Sequence, residues 1–337
     1  MAKPRVTVVI PTLAADSTYL ACVRSLEKQT LREIEIVIVD NSGENKVQQQ
    51  IQAGSRVRVI ANNSNLGFGE AVNLGWRDST APYLATLNDD AVADPDWLKK
   101  LSEALDKNPD AGMCASQVRL QETGMLDSAG MLIASDGASK QRGHKQPPGA
   151  FAKPAEVIFP SGSAAMYRRK MIEEIGAFDV SFFLYCEDTD LGLRARWAGW
   201  KAIYAPGAKV DHLYSHSAGR ASPMKAYLVE RNRLYTIVKN FPFRILWKTP
   251  GLTFVRYLWH ALALVSGEGT TAKFRDEGHP PAQLAWFVCR AHISMLAALP
   301  RLIRQRRMIR RSAKISAKAF CAALEKHTIT LRQVASL

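Results

Sequence analysis

Residues 83–108, "YLATLNDDAVADPDWLKKLSEALDKN", join three local signals in one stretch. "YLATLNDDA" (83–91) reads as a strand, apolar at its start and ending in acids. The run ends directly in Asn88, Asp89 and Asp90. A helix follows, with Pro95 near its start, where a missing N–H does no harm. A strand, acids at its carboxyl end and a helix together make one unit of an α/β protein.

The alternation extends in both directions. "RVTVVI" (5–10) is β-branched and stops at Pro11. "STYLACVRSLEKQT" (17–30) sets Leu20, Val23 and Leu26 at helical spacing, with Ser17 as the cap. "IEIVIVD" (34–40) and "RVRVIAN" (56–62) are strands, and "GFGEAVNLGWRDS" (67–79) is a helix entered through glycines. Residues 121–155, rich in Gly, Ser, Lys and Pro, read as a long loop or irregular hairpin. "VIFPSGSAAMYRR" (157–169) is a strand and turn, "KMIEEIGAF" (170–178) a short helix ending at Gly176, and "KAIYAP" and "AKVDH" (201–206, 208–212) are strands. The expected fold is a mostly parallel sheet flanked by helices, with ligands beyond the carboxyl ends of its strands.

The 337 residues carry a net charge of +14, which implies an anionic partner. The five cysteines include no C-x-x-C pair, so a reducing, cytosolic side is expected. "MAKPRVTVVIPTL" has no signal-peptide apolar region. The charge concentrates in "RLIRQRRMIRRSAKISAK" (301–318), with eight basic residues and no acid.

Four constellations carry chemistry. Acids after a buried strand are costly unless paired, so "NDD" is either a divalent-cation site or a solvated turn. Gly67 and Gly69 open a helix whose N-terminus favours phosphate, although no Walker pattern is present. In "FLYCEDTDLGLRARWAGW" (183–200), Glu187, Asp188 and Asp190 fall in a first helical turn and suit its dipole. The adjoining aromatics would instead desolvate a carboxylate and raise its pKa, as a general base needs. His212 and His216 follow a strand and gain meaning only if metal ligands converge on them.

In this order, "VTVVIPTL", "IVIVDNSG", "NSNLGFGEAVNLG", "YLATLNDDA", "SGSAAMYRRKMIEEIGAFDVSFFLYCEDTDLGLRARWAGW" and "VDHLYSHSAG…YLVERNRLYTIVKNFP" resemble the inverting family 2 nucleotide-sugar glycosyltransferases of the GT-A (Rossmann-like) fold, especially bacterial rhamnosyltransferase-like members. The resemblance implies that Asp90 holds a metal, Mg²⁺ or Mn²⁺, with Asp89 next to it and Asn88 in place of the first acid. It implies that Pro11, Thr12 and Asp40 hold base and ribose, and that Asn65, Gly67 and Asn73 lie beneath the nucleotide. Asp188 would be the catalytic base, Glu187 its neighbour orienting the acceptor, and His212 a partner of the metal and diphosphate.

Past residue 242 the pattern changes. "LTFVRYLWHALALVS" (252–266) and "PAQLAWFVCRAHISMLAALPRLIRQRRMIRR" (281–311) mix apolar residues with Arg256, His260, Arg290 and His292. Such helices lie in a membrane interface or pack as a helical domain. No RRM, KH or helix-turn-helix pattern supports nucleic acid as the partner. The expectation is a GT-A domain over 1–242 and a helical, basic, membrane-interface region over 243–337. The enzyme would move a sugar, L-rhamnose from dTDP-L-rhamnose, onto a lipid-linked saccharide for cell-envelope polysaccharide, peripherally at the cytoplasmic face of the inner (plasma) membrane. The alternatives are a UDP-sugar donor (galactofuranose, GlcNAc or glucose), or a non-catalytic GT-A-like protein that binds sugar nucleotide or lipid.

Overall fold

The computed structural model describes residues 3–48, 50–51, 56–213, 222–267 and 269–336; His216 lies outside them. The chain forms two compact units. The first comprises Met1–Met131, Gln141–Ala195 and Trp200–Tyr214, and the second Leu132–Lys140, Arg196–Gly199 and Ser215–Leu337. Residues 222–242 pack in the second unit, with the helices that follow.

The first unit opens with β1 (Val6–Thr12), α1 (Thr18–Glu27), β2 (Ile34–Asp40), β3 (Val57–Ala61), α2 (Phe68–Arg77), β4 (Tyr83–Leu87), β5 (Ala91–Ala93), α3 (Trp97–Lys107) and β6 (Ala111–Leu120). Strands β7 (Leu126–Ser128), β10 (Ala155–Val157) and β11 (Ala164–Arg168) follow, then α4 (Arg169–Ile175), α5 (Glu187–Trp197) and β12 (Lys201–His212), while β8 (Met131–Ile133) and β9 (Ser139–Gln141), between β7 and β10 in the chain, fall mostly in the second unit. The central sheet runs β10-β12-β6-β11-β4-β1-β2-β3, with β5 on β12 and β7 on β6. It is parallel through β3-β2-β1-β4, and β11 is inserted antiparallel between β4 and β6.

Both sheet faces are covered, which explains the unbroken apolar strands. Val6, Val8 and Ile10 of β1 join Cys22 and Leu26 of α1 and Trp97, Leu101 and Leu105 of α3 in one core. Helix α2 lies against β1 and β2. Each fully buried Val, Leu or Ile here contributes on the order of 1.5–3 kcal/mol.

Several expected boundaries move. The Ser17 side chain does not cap α1. The Asp16 carboxylate instead accepts from the Thr18 N–H and hydroxyl, because its longer side chain reaches round the turn. The stretch 83–91 breaks at Leu87, and Ala91–Ala93 pair separately with β12. The two strands expected over 201–212 are one, interrupted by a register shift between Ala205 and Lys209. Residues 121–155, read as a long loop or irregular hairpin, contain the β8-β9 hairpin.

The second unit is helical: α6 (Pro223–Asn240), α7 (Phe243–Leu246), α8 (Thr249–Ser266), α9 (Gly269–Asp276), α10 (Ala282–Arg311), α11 (Ala317–Lys326) and α12 (Leu331–Ser336). Glu230 and Arg233 of α6, Arg256 of α8 and Asp136 form a buried ion network. Arg256 thus turns inward, so it does not mark a membrane-facing side of α8. Helix α10 has 30 residues and is long and apolar enough, by length and composition, to cross a membrane. Exposed apolar side chains collect on α7, α8 and α10, among them Phe243, Trp247, Phe254, Val265, Trp286 and Ile293.

Candidate active site

Parallel pairing puts the ends of β1, β2 and β4 at one sheet edge, and Thr12 stands opposite Asp40 in the β1–β2 register. Thr12 Oγ1 donates to Asp89 Oδ2 at 2.7 Å and accepts from the Ala14 N–H at 2.9 Å. Ala14 has φ +46°, an uncommon conformation for a residue with a Cβ. Pro11 precedes Thr12 in β1 and is partly exposed. Asp40 is fully buried, and its carboxylate accepts from the Ser42 and Val47 N–H groups, so it shapes the loop after β2.

Helix α2 begins at a crowded point. Asn65 Oδ1 accepts from the Gly67 N–H. Gly67 has φ +80°, and a Cβ there would stand 2.2 Å from the Phe183 carbonyl oxygen, so only glycine fits. Asn73 spends its amide on the Phe178 backbone, donating to its carbonyl and accepting from its N–H. Asn73 therefore holds the loop that leads into α5, while Asn65 shapes the turn into α2.

That loop carries the least expected feature. Phe183, Tyr185 and Cys186 all have left-handed φ values, of +64°, +70° and +62°. Each costs roughly 1–3 kcal/mol, and such residues cluster at functional sites. They deliver the chain to Glu187, the first residue of α5. Further along α5, Gly192 lets Phe159 pack on the helix; a Cβ would stand 2.3 Å from Phe159 Cβ.

The three acids of α5 part company. Asp190 is fully buried and ion-paired to Arg194, Nε to Oδ2 at 2.8 Å, while Arg194 also donates to the carbonyls of Ile175, Gly176 and Ala177. It is a brace for the turn after α4. Asp188 Oδ2 accepts from the Gly162 N–H at 3.0 Å, and Oδ1 from the Thr189 N–H at 2.6 Å. Burial raises the Asp188 pKa against these hydrogen bonds. Glu187 is buried, and its Oε2 has no partner among the described residues. Burial, with the Asp188 charge, raises its pKa to about 8.

Asp188 and "NDD" meet at one turn. The Asn88 N–H donates to the Ser163 carbonyl at 2.8 Å, one residue from Gly162, which donates to Asp188. Asn88 Nδ2 lies 3.2 Å from His212 Nε2, and the same nitrogen is 3.1 Å from Asp90 Oδ1. Burial, with the Asp90 and Asp16 charges, raises the Asp89 pKa to about 6 against the Thr12 hydrogen bond.

Asp127 and His144 were not legible beforehand. Asp127 Oδ2 is 2.9 Å from His212 Nδ1, and Oδ1 is 3.4 Å from His144 Nδ1. Burial would lower the His212 pKa, but hydrogen bonds to Asp127 and Asp90 and their charges raise it to about 10. One carboxylate and one imidazole nitrogen aimed at a common point, the ring held by a second carboxylate, fit a divalent ion. Among the described residues no three His, Cys, Asp or Glu side chains converge as a complete cage. That also suits an ion whose remaining ligands are substrate phosphates and water.

Residues 7–176 match the model of Glycosyl transferase family 2. The chain is 30% identical over 223 residues to N-acetylglucosaminyl-diphospho-decaprenol L-rhamnosyltransferase of Mycobacterium tuberculosis (strain ATCC 25618 / H37Rv), covering 58% of this chain and 72% of that protein. It is 30% identical over 112 residues to glucosyl-dolichyl phosphate glucuronosyltransferase of Haloferax volcanii, covering 32% of this chain and 36% of that protein. The fold matches the crystal structure of GalNAc-T7 with UDP, GalNAc and Mn²⁺ at a TM-score of 0.53 and 18% identity, over 69% of this chain and half of that longer one. With half of its length matched by the family model and most of a curated rhamnosyltransferase covered, the chain belongs to glycosyltransferase family 2, with the GT-A fold.

Proposed function

We propose that this glycosyltransferase moves a hexosyl residue, L-rhamnose from dTDP-L-rhamnose, onto a lipid-linked saccharide with inversion at the anomeric carbon. The observation that carries the reading is Asp188: a half-buried carboxylate of raised pKa, held by the Gly162 N–H on the turn that also anchors Asn88. A carboxylate so placed accepts the proton of the acceptor hydroxyl as that oxygen attacks the anomeric carbon. The nucleoside diphosphate leaves from the opposite face, so one base suffices. Glu187 orients the acceptor beside it. Asp90 and His212 would hold a divalent ion, Mg²⁺ or Mn²⁺, which when bound neutralises charge on the departing diphosphate. Thr12, with Pro11 and the Asp40 loop, borders the nucleoside, and Asp89 is kept in place by Thr12.

The similarity to a rhamnosyltransferase whose name specifies a diphospho-decaprenol acceptor supports both the donor and a lipid-linked acceptor. The exposed apolar side chains of α7, α8 and α10 and the basic run 301–318 support peripheral docking on an anionic membrane surface, at the cytoplasmic face, in envelope polysaccharide synthesis. The test is nucleoside diphosphate release from dTDP-L-rhamnose and from UDP-galactofuranose, UDP-GlcNAc and UDP-glucose, each with Mn²⁺ or Mg²⁺. Release specific to dTDP-L-rhamnose is expected. Binding of a sugar nucleotide without turnover on any acceptor would leave a non-catalytic binder.

A further inference from the structure

A groove of about 620 Å³ lies within the second unit, between the end of α6, α7 and the second half of α10. Its floor is Val238, Leu246, Leu299 and Ile303, and its rim is Arg306, Arg307, Arg310 and Arg311. Residues 299, 303, 306, 307 and 310 recur at helical spacing, so one face of α10 supplies both characters. Two of the arginines are fixed: Arg306 donates to the Val238 carbonyl and Arg310 to the Asn240 carbonyl, each at 2.9 Å. Arg310 also covers the Trp197 ring, 3.4 Å from its centroid. Its Nη1 is out of contact with water and has no acceptor among the described residues. Four arginines thus line the groove, with no carboxylate paired to any of them among the described residues. Burial, with the neighbouring Arg306 charge, lowers the Arg310 pKa to about 10.

An anion relieves this arrangement, and guanidinium forks match phosphate oxygens. Inorganic phosphate or diphosphate would leave the apolar floor uncovered. The volume falls within the ~300–1,000 Å³ of a single-molecule site, whereas bilayer headgroups need no concave floor. We infer that the groove binds the diphosphate and the first stretch of hydrocarbon of one single-chain lipid diphosphate, with the head on the arginine rim and the tail over Val238, Leu246, Leu299 and Ile303. The groove stands on its own geometry, but its identification with the lipid-linked acceptor rests on the function proposed above.

The test uses the full-length protein in EDTA with farnesyl diphosphate as the probe, and binding is read by calorimetry. Farnesyl diphosphate should bind at least about tenfold more tightly than farnesol or inorganic diphosphate, because each fragment meets only half of the groove. Arg307 and Arg311 are exposed, so Arg307→Gln with Arg311→Gln should fold normally and weaken the probe severalfold. Ile303→Arg should remove the advantage of the tail while inorganic diphosphate still binds. Equal affinity for farnesyl and inorganic diphosphate, or full probe affinity in both variants, overturns the assignment. Loss of docking on phosphatidylglycerol vesicles in these variants without loss of probe binding would give the groove to bilayer headgroups instead. Nucleoside diphosphate release with a water-soluble acceptor is measured in parallel, so failure of the groove and failure of the transferase reading remain distinct.

Discussion

Asp127 Oδ2 stands 2.9 Å from His212 Nδ1, and that contact turns His212 Nε2 toward Asp90. When His212 is neutral, its proton belongs on Nδ1, leaving the Nε2 lone pair to face the ion site. Asp127→Asn should keep the fold and weaken Mn²⁺-dependent nucleotide binding about 10–100-fold, the usual scale for such a supporting carboxylate. His212→Ala should weaken it further, and Asp90→Ala should abolish it. Titration of Mn²⁺ against a fixed nucleotide concentration, with a thermal melt as control, checks the series. Unchanged Mn²⁺ dependence in Asp127→Asn would reduce this contact to a packing detail.

Asp188→Asn should leave nucleotide affinity near normal and lower kcat at least ~10²-fold, the scale of lost acid–base catalysis. The base must be ionised, so kcat/KM should rise with pH through a value above the ordinary carboxylate range. Glu187, its pKa raised to about 8, is still neutral where Asp188 ionises, so Glu187→Gln should leave that limb in place. Stability carries a second sign. Glu187 has a folded pKa raised from 4.5 to about 8, so its stabilising protonation is complete below 4.5 and lost as pH rises through about 8. Glu187→Gln should therefore gain most in melting temperature at the alkaline end. A pH–rate profile that Glu187→Gln leaves in place would separate the two carboxylates.

Asp190 sits two residues from Asp188, yet its prediction is of another kind. Asp190→Asn leaves Arg194 buried without its charge partner, a change that typically costs about 3–5 kcal/mol. A lowered unfolding midpoint is expected, with kcat near normal for the fraction that remains folded. A catalytic defect at full stability would mean that the brace reading of Asp190 is wrong.

These three acids mark where the sequence stops being informative. Their place in the first turn of α5 followed from local spacing, and so did the strands that bring Thr12, Asp40 and "NDD" to one edge. Which acid pairs with Arg194 and which meets Gly162 depends on loops from α4 and β11, which periodicity does not describe. Asp127 and His144 lie in a segment without repeat; Asp127 reaches His212 only through the pairing of β7 with β6, and His144 contacts Asp127. The left-handed residues 183, 185 and 186 gave no signal either, since none is a glycine.

The basic run 301–318 is predicted to dock the protein on anionic lipid, but removing residues 301–337 is the wrong test. Phe320 stacks on Trp197 with ring centroids 4.1 Å apart, so truncation would strip a buried contact from the second unit. Arg304 and Lys318 are exposed and lie outside the groove lining. Each basic residue near an anionic leaflet contributes about 1 kcal/mol, so Arg304→Gln with Lys318→Gln should weaken vesicle binding about thirtyfold. Binding of the unmodified protein should fall steeply as salt rises past physiological strength, where the screening length is about 8 Å. Trp247→Ser, at an exposed aromatic of the second unit, should weaken binding in a way that salt does not mimic. Sedimentation with phosphatidylglycerol vesicles measures all three. Indifference to these vesicles at low salt would leave α7–α12 as an ordinary helical domain, whereas resistance to both high salt and carbonate would mean that α10 enters the hydrocarbon.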